Sequence, residues 1–202
     1  PGSGNVTIRG ATIANESYQV NGTGTLTIES NETSFASTFT SSALTEASTL
    51  TGLTIGKSTN TSDITIDSAI SVNGPIKAYT TGTGTVTLTA NLVSASGTSL
   101  IQGELEGTGD FTQTTGTLQV NATGNNSSYT GDIKGGGAFT KLGDSTLTLS
   151  GTNTYTGATT ISAGTLTIDG SGTLESGNYD GTIANSGTFI YSSTADQTLA
   201  GV

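Results

Sequence analysis

Thr146-Leu147-Thr148-Leu149-Ser150-Gly151 and, nineteen residues after Thr146, Thr165-Leu166-Thr167-Ile168 set apolar residues in strict alternation with threonine. In an extended chain successive side chains point to opposite faces, so the leucines and isoleucine share one face and the threonines the other. Threonine suits an exposed strand face, because its branched Cβ fits the pleat and its hydroxyl stays in water. The pattern predicts half-buried β-strands.

The same alternation runs along the chain. Val6-Thr7-Ile8, Leu26-Thr27-Ile28, Leu53-Thr54-Ile55 and Ile64-Thr65-Ile66 carry it, as do Val86-Thr87-Leu88 and Leu118-Gln119-Val120. Gly, Asn, Ser and Asp, the residues that turn a chain most readily, separate these short strands. Between Ser41 and Leu53, Ala43, Leu44, Ala47 and Leu50 lie at helix-like spacing. The threonines and serines around them suit a strand pair or a loop equally.

Composition bounds the chemistry. The 202 residues are 31% hydrophobic and 10% charged, with 30 glycines, 44 threonines and 25 serines. Such a makeup resembles that of disordered chains, but a disordered chain has no reason to keep period 2. Without Cys or His there is no disulfide, no thiolate nucleophile, no imidazole base and no Cys- or His-based metal site. Five cations against 15 carboxylates give a net charge of −10, which excludes a basic groove for nucleic acid. No apolar run is long enough to span a bilayer, so no direct membrane insertion of this segment is expected.

Self-similarity decides among all-β architectures. Leu105 to Phe111, Ile133 to Phe139 and Ile183 to Phe189 each run from an apolar residue through Gly or Asn to phenylalanine. Tyr129-Thr130-Gly131, Tyr155-Thr156-Gly157 and Tyr179-Asp180-Gly181 form a second set. The strands beginning at Val86, Leu118, Leu147 and Leu166 are spaced by 32, 29 and 19 residues. An imprecise period of short strands and turns predicts a β-solenoid of roughly eight coils, a rod of about 40 Å at ~4.8 Å per coil. The whole of residues 1–202 is expected to form one solenoid segment, with irregular coils over 1–102 and recognisable repeats over 103–202.

The stretch Gly137-Ala138-Phe139-Thr140-Lys141-Leu142-Gly143-Asp144-Ser145, continuing through Thr146–Gly151 to Tyr155-Thr156-Gly157, resembles the autotransporter-associated β-strand repeat of bacterial autotransporter passengers. Ala158 to Ile168 completes the copy, and Gly177 to Ser193 looks like the start of another. The likeness is strong over about 135–202 and weaker over 103–134. Before about residue 100 the texture is similar to a filamentous-haemagglutinin or adhesin solenoid. The resemblance implies a right-handed parallel β-helix, secreted to the bacterial cell surface and anchored, if at all, by a C-terminal outer-membrane barrel outside this chain. In that family the repeat assists passenger transport and folding and marks no active site.

Candidate sites are few. Asp63 with Asp67, and Glu104 with Glu106, would share strand faces, but scattered carboxylates on a rod read first as solvated charges. Arg9 lies near the N-terminus, and Gly135-Gly136-Gly137 reads as a tight corner without the aspartates a calcium turn needs. Tyr129, Tyr155 and Tyr179 read as a stacked structural column, which leaves Tyr18 and Tyr79 as the freer candidates for ligand contact. Eight Asn-x-Ser/Thr sequons, at Asn5, Asn15, Asn21, Asn31, Asn60, Asn121, Asn125 and Asn126, permit surface glycosylation.

No catalytic, cofactor-binding or metal residue is assigned, and the chain is not expected to be an enzyme. The expectation is a structural or adhesive rod segment of a secreted surface protein, meeting a host or neighbouring cell. The alternative is a self-assembling extracellular filament or biofilm-matrix subunit, associating through solenoid ends or sides. A carbohydrate-processing β-helix and an ice-binding solenoid with outward Thr-x-Thr ladders rank lower, because a flat ice-binding face needs near-constant rung length.

Overall fold

The computed structural model describes residues 3–10, 18–19, 22–45 and 49–201, with the backbone alone for Tyr18, Gln19, Ala43 and Thr45. Every alternating segment is a strand, and the paired strands all run parallel. They stack into three faces. The first holds Val6–Arg9, Thr25–Glu29, Gly52–Ile55, Ile76–Tyr79, Thr98–Gln102, Thr117–Asn121, Ala138–Leu142, Thr159–Ile161, Asn178–Asn185 and Thr198–Gly201, in that order.

The second face stacks Phe39–Thr40, Ile64–Ile66, Thr85–Leu88, Glu104–Gly107, Ser127–Tyr129, Thr146–Leu149, Thr165–Ile168 and Thr188–Tyr191. Ile70–Val72, Leu92–Ser94, Phe111–Gln113 and Ile133–Lys134 form the third. The shorter pairs Tyr18–Gln19 with Leu44–Thr45, and Thr152–Asn153 with Thr173–Leu174, precede and follow it in the chain. The chain visits first, second and third faces in turn and returns to the first, making a β-solenoid of about nine turns, close to the eight expected.

No α-helix occurs among the described residues. Between Ser41 and Leu53 the chain makes one 3-10 turn at Ser41–Ala43, then the strands Leu44–Thr45 and Gly52–Ile55; Ala47 lies outside the described residues. Leu44 and Leu50 are buried, so their helix-like spacing comes from two separate inward positions of one coil.

Register fixes the coil length. Leu26 stands on Leu53 and Ala78 on Ile101, giving coils of 27 and 23 residues, while Ile101 stands on Val120 after only 19. The spacings of 32 and 29 read from the sequence mixed faces, because Leu118 belongs to the first face while Val86 and Leu147 belong to the second. The phenylalanine motifs were likewise not one repeat. Leu105–Phe111 rounds the second-to-third corner, Ile133–Phe139 the third-to-first and Ile183–Phe189 the first-to-second. All three corners make the same demand: an inward apolar strand end, a turn, and another inward apolar side chain.

The core is a set of vertical columns. On the first face Leu26, Leu53 and Ile76 stack, then Ser99, Leu118 and Phe139; beside them run Ile28, Ile55, Ala78, Ile101 and Val120. All are essentially inaccessible, and each large apolar side chain contributes roughly 1.5–3 kcal/mol by leaving water. Ser99 breaks its column usefully: its Oγ accepts from the Ile76 amide at 3.1 Å and donates to Ser94 Oγ at 3.0 Å.

At the second-to-third corner, coils approach so closely that side chains are excluded. A Cβ on Gly131 would lie 2.1 Å from the Gly109 carbonyl oxygen, and one on Gly151 would lie 2.5 Å from that of Gly131. The Gly131 amide donates to Gly107 across the same gap. Replacing Gly131 with alanine should therefore force two coils apart and destabilise the fold by about 1–3 kcal/mol, read as a lowered urea midpoint. A midpoint equal to that of the unchanged protein would show that the corner has slack.

Candidate functional surface

Alternation leaves each face with outward columns free to meet other molecules. On the second face Thr65, Thr87, Glu106, Ser128, Thr148, Thr167 and Ile190 line up rung upon rung. Thr146, Thr165 and Thr188 align beside them. The threonine ladder is real and in register, but Glu104 with Glu106 and then Asn126 with Ser128 interrupt it at its centre. A continuous flat threonine array is therefore absent from this face.

Asp63 and Asp67 flank Ile64–Ile66, while Glu104 and Glu106 point outward from one strand of the same face. Both pairs thus share a face, as the spacing requires. Asp63 Oδ1 accepts the Thr85 amide at 2.9 Å and Asp67 Oδ1 accepts from Ser41 Oγ at 3.1 Å, so each binds neighbouring coils together. Desolvation, followed by the repulsion of Glu104 and Asp63, holds the Glu106 carboxyl above the usual range. Among the described residues no group of three or more carboxylates is arranged to hold a metal ion.

The cations are mostly engaged. Arg9 Nε meets Glu29 Oε1 at 2.6 Å on an exposed edge. Lys134 Nζ bridges Asp110 at 2.7 Å and Asp132 at 3.4 Å on the third face. Lys57 donates to the Ser30 carbonyl at 2.9 Å.

Lys141, unremarked in sequence beyond its place in the repeat, occupies an inward position between Val120 and Ile161 and is fully buried. Its ammonium donates to the carbonyls of Leu142 at 2.6 Å, Gly143 at 3.0 Å and Ala163 at 3.5 Å, tying one coil's corner to the next. Burial lowers its pKa, and the Asp144 carboxylate partly opposes that shift. Alternation from Phe139 already places Lys141 inward, since residues two apart on a strand share a face; the register adds its neighbours Val120 and Ile161.

The tyrosine column holds for two of its three members. Tyr155 and Tyr179 stack edge-on with centroids 5.9 Å apart, and Phe139 continues the stack at 5.7 Å from Tyr155. Their hydroxyls form a buried chain: Tyr155 to Thr159 Oγ1 at 2.7 Å, Thr159 to Tyr179 at 2.8 Å, and Tyr179 to the Gly157 carbonyl at 2.8 Å. Tyr129 stands apart, ending a second-face strand between Gly107 and Leu149, with its hydroxyl on the Gly109 carbonyl. Tyr79 is half-buried on the outer side of the first face, and the Tyr18 side chain lies outside the described residues.

Gly135-Gly136-Gly137 is a tight corner over Gln113. Gly135 has φ +104°, and a Cβ on Gly137 would press on the Gln113 side chain. Among the sequons, Asn15 and Asn21 lie outside the described residues. Asn60 is buried, its amide donating to Ser62 and Tyr79 carbonyls while its oxygen accepts from Ser34 and Phe35, so the folded chain cannot offer it for glycosylation. Asn5, Asn31, Asn125 and Asn126 are exposed, and Asn121 is half-buried.

Residues 139–168 match the Passenger-associated-transport-repeat family. The adhesin BmaC autotransporter of Brucella suis biovar 1 (strain 1330) is 52% identical over 48 residues, which is 24% of this chain and 1% of that protein. No solved structure matches. Residues 139–168 thus carry a passenger-associated transport repeat, and the chain spans about 1% of the length of the adhesin it matches.

Two outcomes test the interior. Burial raises the pKa of Tyr129, Tyr155 and Tyr179 above the ordinary value of 10.0. The folded chain therefore keeps protons that the unfolded chain releases, and stability should fall above pH ~10 by up to about 1.4 kcal/mol per pH unit for each tyrosine. Lys141 acts oppositely: its lowered pKa adds stability as pH rises toward 10.5. Tyrosinate absorbance followed alongside circular dichroism should show these three rings ionising only as the fold is lost; their ionisation in the intact fold would contradict their burial. Lys141→Ala should lower stability by about 2–4 kcal/mol in urea unfolding, through its cavity and three unpaired carbonyls.

Proposed function

We propose that this segment is an adhesive rod of an autotransporter-type passenger, displayed at the bacterial surface to meet a host or neighbouring cell and held there by a barrel elsewhere in the parent protein. The observation that carries the reading is the position of the transport repeat. Residues 139–168 span two successive first-to-second-face strand pairs, Ala138–Leu142 with Thr146–Leu149 and Thr159–Ile161 with Thr165–Ile168, and their structural work is done by inward residues and corners. The outward side chains are thereby released for contact.

Three features support a contact role over a chemical one. The chain has no histidine or cysteine. The second-face carboxylates Asp63, Asp67, Glu104 and Glu106 have no cation converging on them among the described ion pairs. The adhesin relative shares half its residues with this chain over the matched stretch.

Display tests the reading. Residues 1–202 fused to a translocator barrel on a non-adherent bacterium should raise attachment to epithelial monolayers several-fold over the barrel alone. Protease shaving verifies that the rod is exposed. An exposed rod that leaves attachment at the barrel-only level would overturn the adhesive role.

A further inference from the structure

The outer side of the first face differs from the rest of the surface in charge. Its strands from Gly52–Ile55 to Thr159–Ile161 carry no carboxylate over six successive rungs, in a chain that has 15. Glu104 and Glu106 have already turned the corner at Gly103 onto the second face. On the second of these six rungs stands Lys77. Among the described residues it makes no ion pair and no side-chain hydrogen bond, whereas the other four cations are all engaged.

Around Lys77 the outward threonines give way to other chemistry. Lys77 stands under Leu100 and then Gln119; in the next column Tyr79 stands under Gln102 and then Asn121. All six side chains are half-buried, so each keeps part of its surface in solvent on the outer side of the sheet. The patch combines a ring face, an aliphatic neighbour, three planar amides and one free ammonium. Rungs about 4.8 Å apart are close to the length of one pyranose residue in a linear chain.

From this juxtaposition we infer that the patch binds a linear glycan bearing carboxylates, laid along the rod with one sugar to each rung. Tyr79 and Leu100 take the apolar C–H face of a sugar ring. Gln102, Gln119 and Asn121 pair with hydroxyls, each amide offering both a donor and an acceptor. Lys77 takes the carboxylate by a charge-assisted hydrogen bond. A phosphate polyanion does not fit, because its charge density calls for many cations and the strip has one. The inference rests on the adhesive reading and names its ligand.

The probe is a hyaluronan hexasaccharide, in which glucuronate alternates with a neutral sugar, titrated into the full chain by saturation-transfer NMR. Binding at millimolar or tighter affinity is expected. Tyr79→Ala should abolish it and Lys77→Gln should weaken it about tenfold, as should reduction of the sugar carboxylates to alcohols. Thr167→Ala, on the second face, should leave it unchanged, and circular dichroism verifies that the variants fold. Absence of binding, or binding indifferent to both Tyr79→Ala and Lys77→Gln, overturns the inference. Displayed on cells, a rod that adheres equally with Tyr79→Ala refutes the platform alone. A rod that binds the hexasaccharide yet confers no attachment refutes the adhesive role alone.

Discussion

Each coil of this molecule must lay its backbone on the coil beneath at the spacing of a parallel ladder, and nearly everything else follows from that requirement. Where strands run, amide and carbonyl groups meet their counterparts one coil away, and the side chains fall into inward and outward columns. Where corners turn, the same spacing leaves no room for a Cβ, which is why Gly109, Gly131 and Gly151 stand over one another. Where a backbone amide has no ladder partner, an inward polar side chain supplies one. Asn153 shows the device fully: its oxygen takes the Ile133 amide at 3.0 Å, and its amide donates to the Gly151 and Thr173 carbonyls at 3.0 Å each.

The strands and their burial were legible because threonine alternation is a local signal. Leu147, Leu149, Leu166 and Ile168 are all buried, and the threonines between them are not. Register was not legible, because it depends on how many residues each corner consumes. Phe111, Phe139 and Phe189 look alike in sequence yet sit on the third, first and second faces respectively. Tyr129 was grouped with Tyr155 and Tyr179 by its Tyr-x-Gly context, but a 20-residue step carries it to Leu149 rather than to tyrosine. Lys141 and Asn60 read as surface residues by type. Their burial is explained by the groups that meet them: for Lys141 the carbonyls of Leu142 and Gly143 at its own corner and of Ala163 in the next coil, for Asn60 the Phe35 amide and the Tyr79 carbonyl of neighbouring coils.

Division of labour between the two sides of each strand separates stability from contact. Inward positions are constrained by neighbours above and below, so even a charged residue there is enclosed by carbonyls. Outward positions answer only to solubility and to whatever meets them. Asp63, Asp67, Glu104 and Glu106 lie at the second face and Asp110 and Asp132 about Lys134, while the central first face carries no carboxylate. A rod with little overall chemistry can therefore still carry faces of distinct character.

The ladder also sets how such a chain can assemble. Partners across every coil interface lie 19 to 27 residues apart, however long the rod becomes. The closure entropy of each added coil is thus the same modest quantity repeated, with no long-range search that grows with length. Once one coil has formed, its exposed edge templates the next, as a growing crystal face directs each new layer. Assembly then becomes processive: the order in which coils become available can set the order in which they fold.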